Sequence, residues 1–141
     1  MKWPLLAIIL TLTVNTYSKP TIKLLRAIEW VESRNDPNAI SLTSSARGCL
    51  QILKGTVEDV NRIKGGTYYS LENRFSQKRS YEMALVILTH YGRAYRKRTG
   101  REPTSEIYAR IWKNGYAGLF TKPHASDHYW SAIKSVLKLQ K

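Results

Sequence analysis

Residues 32–52 of the chain read ESRNDPNAISLTSSARGCLQI, and this stretch determines how the rest of the sequence is interpreted. Asp36-Pro37-Asn38 is made of turn-forming residues, so a helix that precedes it has to end before it. Residues 39–47 are rich in Ser, Thr and Ala without a clear period, and they predict a loop or a short hairpin that leads into Gly48-Cys49-Leu50-Gln51-Ile52.

The residues before this stretch predict an amphipathic helix. Ile22, Leu25, Ile28 and Val31 recur at a spacing of three, which favours a helix over residues 21–33. With Glu32 taken as zero and roughly 100° per residue, Leu25 lies near +20° and Ile28 near −40°. Glu32 therefore falls midway across the apolar face. Packing of that face would remove water from the carboxyl group and raise its pKa, as a general acid requires.

Glu29 is the second acidic residue of this helix and serves as an internal comparison. It lies at about +60°, closer to the edge of the apolar arc, where a side chain reaches solvent more easily. We therefore expect Glu32 rather than Glu29 to be the acid. Position alone leaves another interpretation open, in which Glu32 only accepts hydrogen bonds from amides of the following loop.

Four further helices are predicted, and the fold class is mainly α. The first covers residues 56–63, begins with the capping-box-like pair Thr56 and Asp59, and is ended by Gly65-Gly66. The second covers residues 80–98. The third runs from Thr104 or Ser105 through Trp112 and is stopped by Asn114-Gly115, and the last begins at about Ser126. Residues 80–98 have Ala84, Ile87, Leu88, Tyr91 and Tyr95 on one face and are the expected central helix.

The N-terminus predicts export. Lys2 precedes an apolar run over residues 3–14, and the small residues Thr16 and Ser18 follow at alternate positions, as in a secretory signal peptide. A membrane anchor is the alternative, but crossing a bilayer takes about 20 apolar residues. We therefore expect a signal peptide at residues 1–18, a mature domain at 19–141, no membrane span after cleavage, and a secreted or periplasmic location.

The chain has 141 residues, with 23 Lys and Arg against 10 Asp and Glu, for a formal net charge of +13. This length suits one domain, and we expect a monomer. The charge predicts attraction to anionic polymers. Because an exported protein meets peptidoglycan, teichoic acids and anionic lipids first, anionic cell-wall polymers are the expected partners and nucleic acid is not.

Two other kinds of site are disfavoured. Cys49 is the only cysteine, so no intramolecular disulfide can form. A cysteine hydrolase would pair Cys49 with His90, His124 or His128, but Cys49 occupies an apolar position. His124, Asp127 and His128 have a spacing that could hold a metal, yet they fall in a predicted loop without an evident fourth ligand. We expect neither a metal nor a cofactor.

The blocks at residues 32–41 and 46–52 resemble the soluble lytic transglycosylase (SLT) domain family of the lysozyme-like superfamily. In that family a Glu-Ser pair closes a helix, a Pro-Asn-Ala-x-Ser turn follows, and a Gly-Ala-x-Gly-Leu-x-Gln stretch forms part of the saccharide groove. This chain differs by Ser45 at the first Gly and Cys49 at a Leu position. The resemblance covers residues 22–118 and implies a helical domain like goose-type lysozyme and SLT domains, with a short hairpin or loop after the catalytic helix.

The same resemblance implies an activity. Glu32 would protonate the glycosidic oxygen between N-acetylmuramic acid and N-acetylglucosamine in a peptidoglycan strand. It would then accept the proton of the muramoyl 6-hydroxyl as that oxygen closes on C1, leaving a 1,6-anhydro sugar. Four residues are expected to bind the glycan: Ser41, Gln51, Asn114 and Tyr116.

Residues 109–118 match the family's Tyr-Asn-x-Gly segment imperfectly, because Trp112 and Lys113 stand where Tyr and Asn are expected. The hydroxyl that family members aim at the acid or the sugar would then come from Tyr116 or Tyr108.

Two alternatives to this activity remain open. A muramidase would cleave the same bond with water but needs a second carboxylate. Each candidate has another account: Asp36 as a turn former, Asp59 as a helix cap, and Glu58 and Glu82 as surface charges. This scarcity favours transglycosylation. The other alternative is a non-enzymatic cationic protein that binds walls or acts as an antimicrobial.

Overall fold

A computed structural model describes residues 18–140, so the predicted signal peptide lies outside the described residues except for Ser18. The described residues form five α-helices and one short 3-10 helix: α1 (Ile22–Ser33), α2 (Lys54–Lys64), the 3-10 helix (Leu71–Phe75), α3 (Gln77–Thr99), α4 (Ser105–Thr121) and α5 (Asp127–Leu139). The mainly α prediction is confirmed. None of these helices is long and apolar enough to span a membrane.

Helix α1 matches its prediction closely. The Thr21 side chain accepts a hydrogen bond from the Leu24 amide at 3.1 Å and caps the first turn, while Arg34 adopts a left-handed conformation with φ 57° and ends the helix. The predicted apolar stripe needs one correction. Ile22 is 46% exposed and Leu24 is buried, because α1 lies against its neighbours on the Leu24 side.

Helix α2 begins at Lys54, two residues before the prediction. Leu53 is the N-cap and provides no side-chain hydrogen bond, so the expected capping role of Thr56 and Asp59 is wrong. The Asp59 carboxylate instead accepts hydrogen bonds from Arg62 and Tyr91. The predicted end is confirmed, since Gly65 takes a left-handed φ of 77° immediately after Lys64.

Helix α3 is the central helix, as expected, and packs against α2 and α4. It starts at Gln77 because the Ser76 side chain accepts a hydrogen bond from the Arg79 amide. Four of the five residues expected on its apolar face are buried: Ala84, Ile87, Leu88 and Tyr95. The fifth, Tyr91, is half-buried and lines a cleft described below.

Helix α4 does not stop at Asn114-Gly115 as predicted. Gly115 has φ 72° and ψ 167°, which interrupts the helix, but helical turns resume and reach Thr121. Helix α5 begins after Ser126, as expected, and buries Ile133 completely. It packs against α1 and α4, so the C-terminal helix lies beside the helix that carries Glu32.

The segment between α1 and α2 is a compact hairpin-like loop. Isolated antiparallel bridges join Ile40 to Arg47 and Arg47 to Ile52, and no regular strand forms among the described residues. Cys49, Leu50 and Ile52 belong to the hydrophobic core. The short hairpin or loop predicted after α1 is therefore present, and its second half is anchored in the core.

Candidate active site

A cleft of about 1160 Å³ contains all five residues that the sequence predicted for the site. Its walls come from the end of α1, the hairpin-like loop, α2, α3 and α4. The predicted residues that line it are Glu32, Ser41, Gln51, Asn114 and Tyr116. The tertiary structure thus brings together side chains from three separate parts of the chain.

Glu32 lies in the last turn of α1 and is partly buried. Its Oε1 accepts a hydrogen bond from the Tyr129 hydroxyl at 2.8 Å. Burial raises the pKa of Glu32, and this effect outweighs the opposing influence of the Tyr129 hydrogen bond and of the nearby Lys113 charge. The carboxyl group therefore stays protonated to a higher pH than an ordinary glutamic acid, which suits a general acid.

Tyr129 is the residue at the site that the sequence analysis missed. It lies in the first turn of α5, is only 8% exposed, and reaches Glu32 because α5 packs on α1. Burial and the Glu32 carboxyl raise the pKa of Tyr129, so its hydroxyl stays neutral and can donate. Tyr129 shares the apolar stripe of α5 with Ile133, four residues away, but that pattern alone indicates a core aromatic residue.

The hydroxyl beside the acid therefore comes from neither Tyr108 nor Tyr116. Tyr108 is buried in the core, and its hydroxyl donates to the carbonyl of Ser18. Tyr116 lines the cleft, but its ring stacks on Tyr91 with centroids 5.4 Å apart. The match of residues 109–118 to the family's Tyr-Asn-x-Gly segment could not indicate Tyr129, because Tyr129 lies outside those residues.

Ser33, next to Glu32, fixes the end of α1 to the hairpin-like loop. Its hydroxyl donates to the Cys49 carbonyl at 2.7 Å, and its oxygen accepts from the Asp36 amide at 3.1 Å. These bonds set the position of Glu32 relative to the cleft wall, since they join the helix end to both following segments.

Ser41 and Gln51 line the cleft and also stabilise its wall. Ser41 accepts hydrogen bonds from the amides of Thr43 and Ser44, within its own turn. The Gln51 side-chain amide donates to the carbonyl of Gly48 at 2.9 Å. Both side chains therefore have a structural role in the free protein, and neither forms a hydrogen bond with Glu32 among the described residues.

Asn114 and Tyr116 flank the Gly115 interruption of α4. The Asn114 Nδ2 is buried without a hydrogen-bond partner among the described residues, an arrangement that costs about 1–3 kcal/mol when nothing satisfies the donor. Tyr116 stacks on Tyr91, whose hydroxyl donates to Asp59 at 2.7 Å. This wall therefore contains one buried donor without an acceptor and a pair of stacked rings.

Three carboxyl groups of the described residues line the cleft: Glu32, Glu58 and Asp59. Burial opposes ionisation of Asp59, but the hydrogen bonds from Tyr91 and Arg62 prevail and hold its pKa below the usual range. Glu58 is exposed, with Lys54 3.9 Å away. Glu32 is thus a carboxyl group of the cleft whose pKa is raised, in contrast to Asp59.

The remaining sequence candidates for a second carboxylate have structural partners away from the cleft. Asp36 accepts a hydrogen bond from the Asn38 amide at 2.9 Å and forms the expected turn. Glu82 accepts hydrogen bonds from Arg79 at 2.9 Å and from Tyr69 at 3.2 Å. Neither residue lines the cleft.

The expectation that Glu29 would reach solvent is wrong. It is only 3% exposed, because the N-terminal part of α3 covers that side of α1. Its Oε1 accepts a hydrogen bond from Gln77 at 2.8 Å, and its Oε2 accepts from the Tyr81 hydroxyl. Glu29 does not line the cleft, so the two acidic residues of α1 face different environments.

The structure also removes the cysteine alternative. Cys49 is completely buried, and burial together with the neighbouring Glu29 carboxylate raises its pKa to about 12. A thiol in this environment is not a nucleophile near neutral pH.

The possible metal cluster of the sequence includes Asp127, which forms an ion pair with Arg110 at 2.6 Å. In the described part of the chain, no group of three His, Cys, Asp or Glu residues is placed to hold a metal.

This mainly α fold, with the partly buried Glu32 in its cleft, is that of a lysozyme-like domain. The family model for the transglycosylase SLT domain matches residues 15–109, well over half of the chain. The protein therefore belongs to the transglycosylase SLT domain family. Comparison with curated proteins gives no match. The cleft wall that α4 forms and the Glu32 partner Tyr129 lie beyond the matched range; Asn114 and Tyr116 belong to that wall.

Proposed function

We propose that the protein is an exported peptidoglycan lytic transglycosylase. It would split the β-1,4 bond between N-acetylmuramic acid and N-acetylglucosamine and leave a 1,6-anhydro end. Membership of the SLT family supports a glycan-cleaving enzyme that acts on peptidoglycan. The observation that carries the proposal is the environment of Glu32, a carboxyl group in a cleft whose burial raises its pKa and favours the protonated form.

In the proposed mechanism Glu32 acts first as an acid and then as a base. Its proton passes to the glycosidic oxygen, and the bond between that oxygen and C1 of the muramoyl residue breaks. The resulting carboxylate takes the proton of the 6-hydroxyl as O6 forms a bond to C1. Tyr129 holds Oε1 throughout and stabilises the carboxylate between the two steps.

The other carboxyl groups support transglycosylation over hydrolysis. A hydrolase needs a second carboxylate to form a covalent intermediate or activate water. In the cleft, Asp59 is held by Arg62 and Tyr91, and Glu58 is exposed beside Lys54. An internal 6-hydroxyl needs no such partner, so a single carboxyl group suffices.

We propose that Ser41, Gln51, Asn114 and Tyr116 contact the glycan. Asn114 and Tyr116 line the same wall of the cleft, and the Tyr116 ring suits the face of a sugar. Ser41 and Gln51 would present the opposite wall, whose shape their loop hydrogen bonds fix.

Export is part of the proposal. A signal peptide at residues 1–18 would direct the domain at 19–141 to the periplasm or the exterior, where peptidoglycan lies. The excess of Lys and Arg over Asp and Glu in this domain would then concentrate the monomeric enzyme on anionic wall polymers.

Glu32→Gln is the direct test of the proposed acid. The amide keeps the size of the side chain but has no transferable proton, so fragment release should fall by at least about 100-fold while binding to peptidoglycan remains. Fragment release and pull-down on purified walls measure the two properties. Glu58→Gln is the matched control in the same cleft and should retain activity. Killing or wall release that survives Glu32→Gln would instead indicate a non-enzymatic cationic protein.

Mass analysis of the wild-type products tests the reaction type. Transglycosylation gives 1,6-anhydro-muramoyl ends, each lighter by one water than the reducing ends that hydrolysis gives. Digestion in ¹⁸O-water adds an independent readout, because only hydrolysis incorporates solvent oxygen. Products with reducing ends alone would establish a muramidase and refute the proposed closure of O6 on C1.

A further inference from the structure

Two cationic side chains of the described residues line the cleft, and they differ in their partners. The Arg62 guanidinium group hydrogen-bonds Asp59 with a distance of 2.9 Å from Nε. Lys113 is exposed and forms no ion pair with a carboxylate in the described part of the chain. Lys113 is therefore the cation of the cleft wall that remains available to a ligand.

Lys113 lies close to the proposed reaction centre. Its Nζ is 5.2 Å from the ring centroid of Tyr129, and the hydroxyl of the same Tyr129 donates to Glu32. The contact with the ring steadies the ammonium group without neutralising it, since an aromatic face carries no net charge. An anion bound by Lys113 would therefore sit beside the bond that Glu32 protonates.

Glu32 itself does not supply the missing negative charge in the reactive state. The general acid must be protonated before it acts, and burial favours that neutral form. While Glu32 holds its proton, Lys113 has no ion-pair partner among the described carboxylates of the cleft, because Asp59 binds Arg62 and Glu58 lies beside Lys54. A cation in this position, in a protein of net charge +13, attracts anionic groups of a substrate.

We propose that Lys113 binds a carboxylate on the muramoyl residue at the bond being cleaved. This inference rests on the proposed function. A muramoyl residue differs from a glucosaminyl residue in its lactyl ether, which ends in a carboxyl group. This carboxyl group is free in strands that lack peptides. In strands that bear stem peptides it is amide-linked to the peptide, and the peptide carries further carboxylates. Binding of this group would distinguish the two sugars and set the strand in the register that places the correct bond at Glu32.

The test measures binding in Glu32→Gln protein, which does not degrade its ligand. Peptide-free glycan strands are compared with the same strands after their carboxylates are capped as neutral methylamides. Adding Lys113→Gln should weaken binding of the charged strands by roughly tenfold and leave binding of the capped strands nearly unchanged. Lys113→Arg should retain most of the difference. Lys97→Gln, which removes an exposed charge outside the cleft, controls for net charge.

Equal weakening with charged and capped strands, or no weakening with any strand, including the peptide-bearing strands, would overturn the proposal. Because Glu32 is absent from this background, a role of Lys113 in tuning the acid cannot mimic the result. Binding of peptide-bearing strands is measured as a third comparison. If Lys113→Gln weakens binding of these strands only, the carboxylate that Lys113 binds belongs to the stem peptide. Thermal unfolding confirms that each variant is folded. Failure of the proposed function is visible separately, as lack of glycan cleavage by the wild-type enzyme.

Discussion

Glu29 and Glu32 lie about one turn apart on α1 and have opposite environments. Glu29 is buried with two hydrogen-bond donors, Gln77 and Tyr81, whereas Glu32 faces the cleft with one donor, Tyr129. The angular difference along a helix is roughly 60° when residues are three apart. That angle is large enough to direct one carboxyl group toward α3 and the other toward α5 and the cleft.

The Tyr129 hydroxyl is expected to tune Glu32 as well as position it. Its hydrogen bond stabilises the carboxylate, so Tyr129→Phe should raise the pKa of Glu32 further. Activity requires protonated Glu32 and declines as pH rises through that pKa. The alkaline limb of kcat against pH should therefore move to higher pH, with a maximal rate lower by roughly tenfold. Tyr68→Phe, at an exposed position, is the control; an unmoved limb in Tyr129→Phe would contradict this role.

Glu29 is expected to matter for stability and not for chemistry. Glu29→Ala removes the buried acceptor of the Gln77 and Tyr81 side chains and should lower the free energy of unfolding by about 1–3 kcal/mol. Glu58→Ala, at an exposed position, should change it by about 0.5 kcal/mol or less. Urea unfolding measures both changes. Folded Glu29→Ala protein should still cleave peptidoglycan, and loss of activity without loss of stability would refute the distinction.

Among the elements, the hairpin-like loop depends on close backbone packing at Gly48. Gly48 has φ 77°, a left-handed conformation, and a Cβ atom there would overlap the carbonyl oxygen of Arg74. The Arg74 guanidinium group in turn donates to the Ser45 carbonyl at 2.6 Å. The loop that carries Ser41 and Gln51 is thus held to the 3-10 helix by backbone contact and by hydrogen bonds.

Gly48→Ala should consequently destabilise the protein by at least about 2 kcal/mol, since it adds both backbone strain and an overlap with main chain. Gly55→Ala is a matched control, because no atom lies within 4 Å of the added Cβ and α2 is helical there. That change should be neutral or stabilise the protein by about 0.5 kcal/mol. Thermal unfolding of the pair gives the comparison, and equal effects would show that the Gly48 contact is unimportant.

At the scale of the whole molecule, we expect the net positive charge to govern the approach of the enzyme to an anionic wall. Raising salt from about 0.1 M to about 1 M shortens the Debye length from about 10 Å to about 3 Å. The rate of fragment release from anionic walls should fall by roughly tenfold over that range. Release from methylamide-capped soluble strands should change little. A rate on walls that is independent of salt would show that the net charge does not drive encounter.

The sequence by itself determined the local features. Residues close to one another in the chain encode these features. They are the bounds of α1, the turn at Asp36, the loop that follows, the central helix and the glycine that ends α2. Periodicity, caps and turn residues report such short-range preferences directly. The linked blocks at residues 32–41 and 46–52 likewise indicate Glu32 and two cleft residues, Ser41 and Gln51, through their resemblance to the SLT family.

Only the tertiary structure decided which side chains meet. Tyr129 reaches Glu32 because α5 docks on α1, and Glu29 is buried because α3 covers it; neither contact leaves a signal at the level of local sequence. Asp59 likewise binds Tyr91 rather than capping α2. Helix docking depends on the combined burial of many apolar residues distant along the chain, so the partners of a polar group at a helix surface are set by the assembled core.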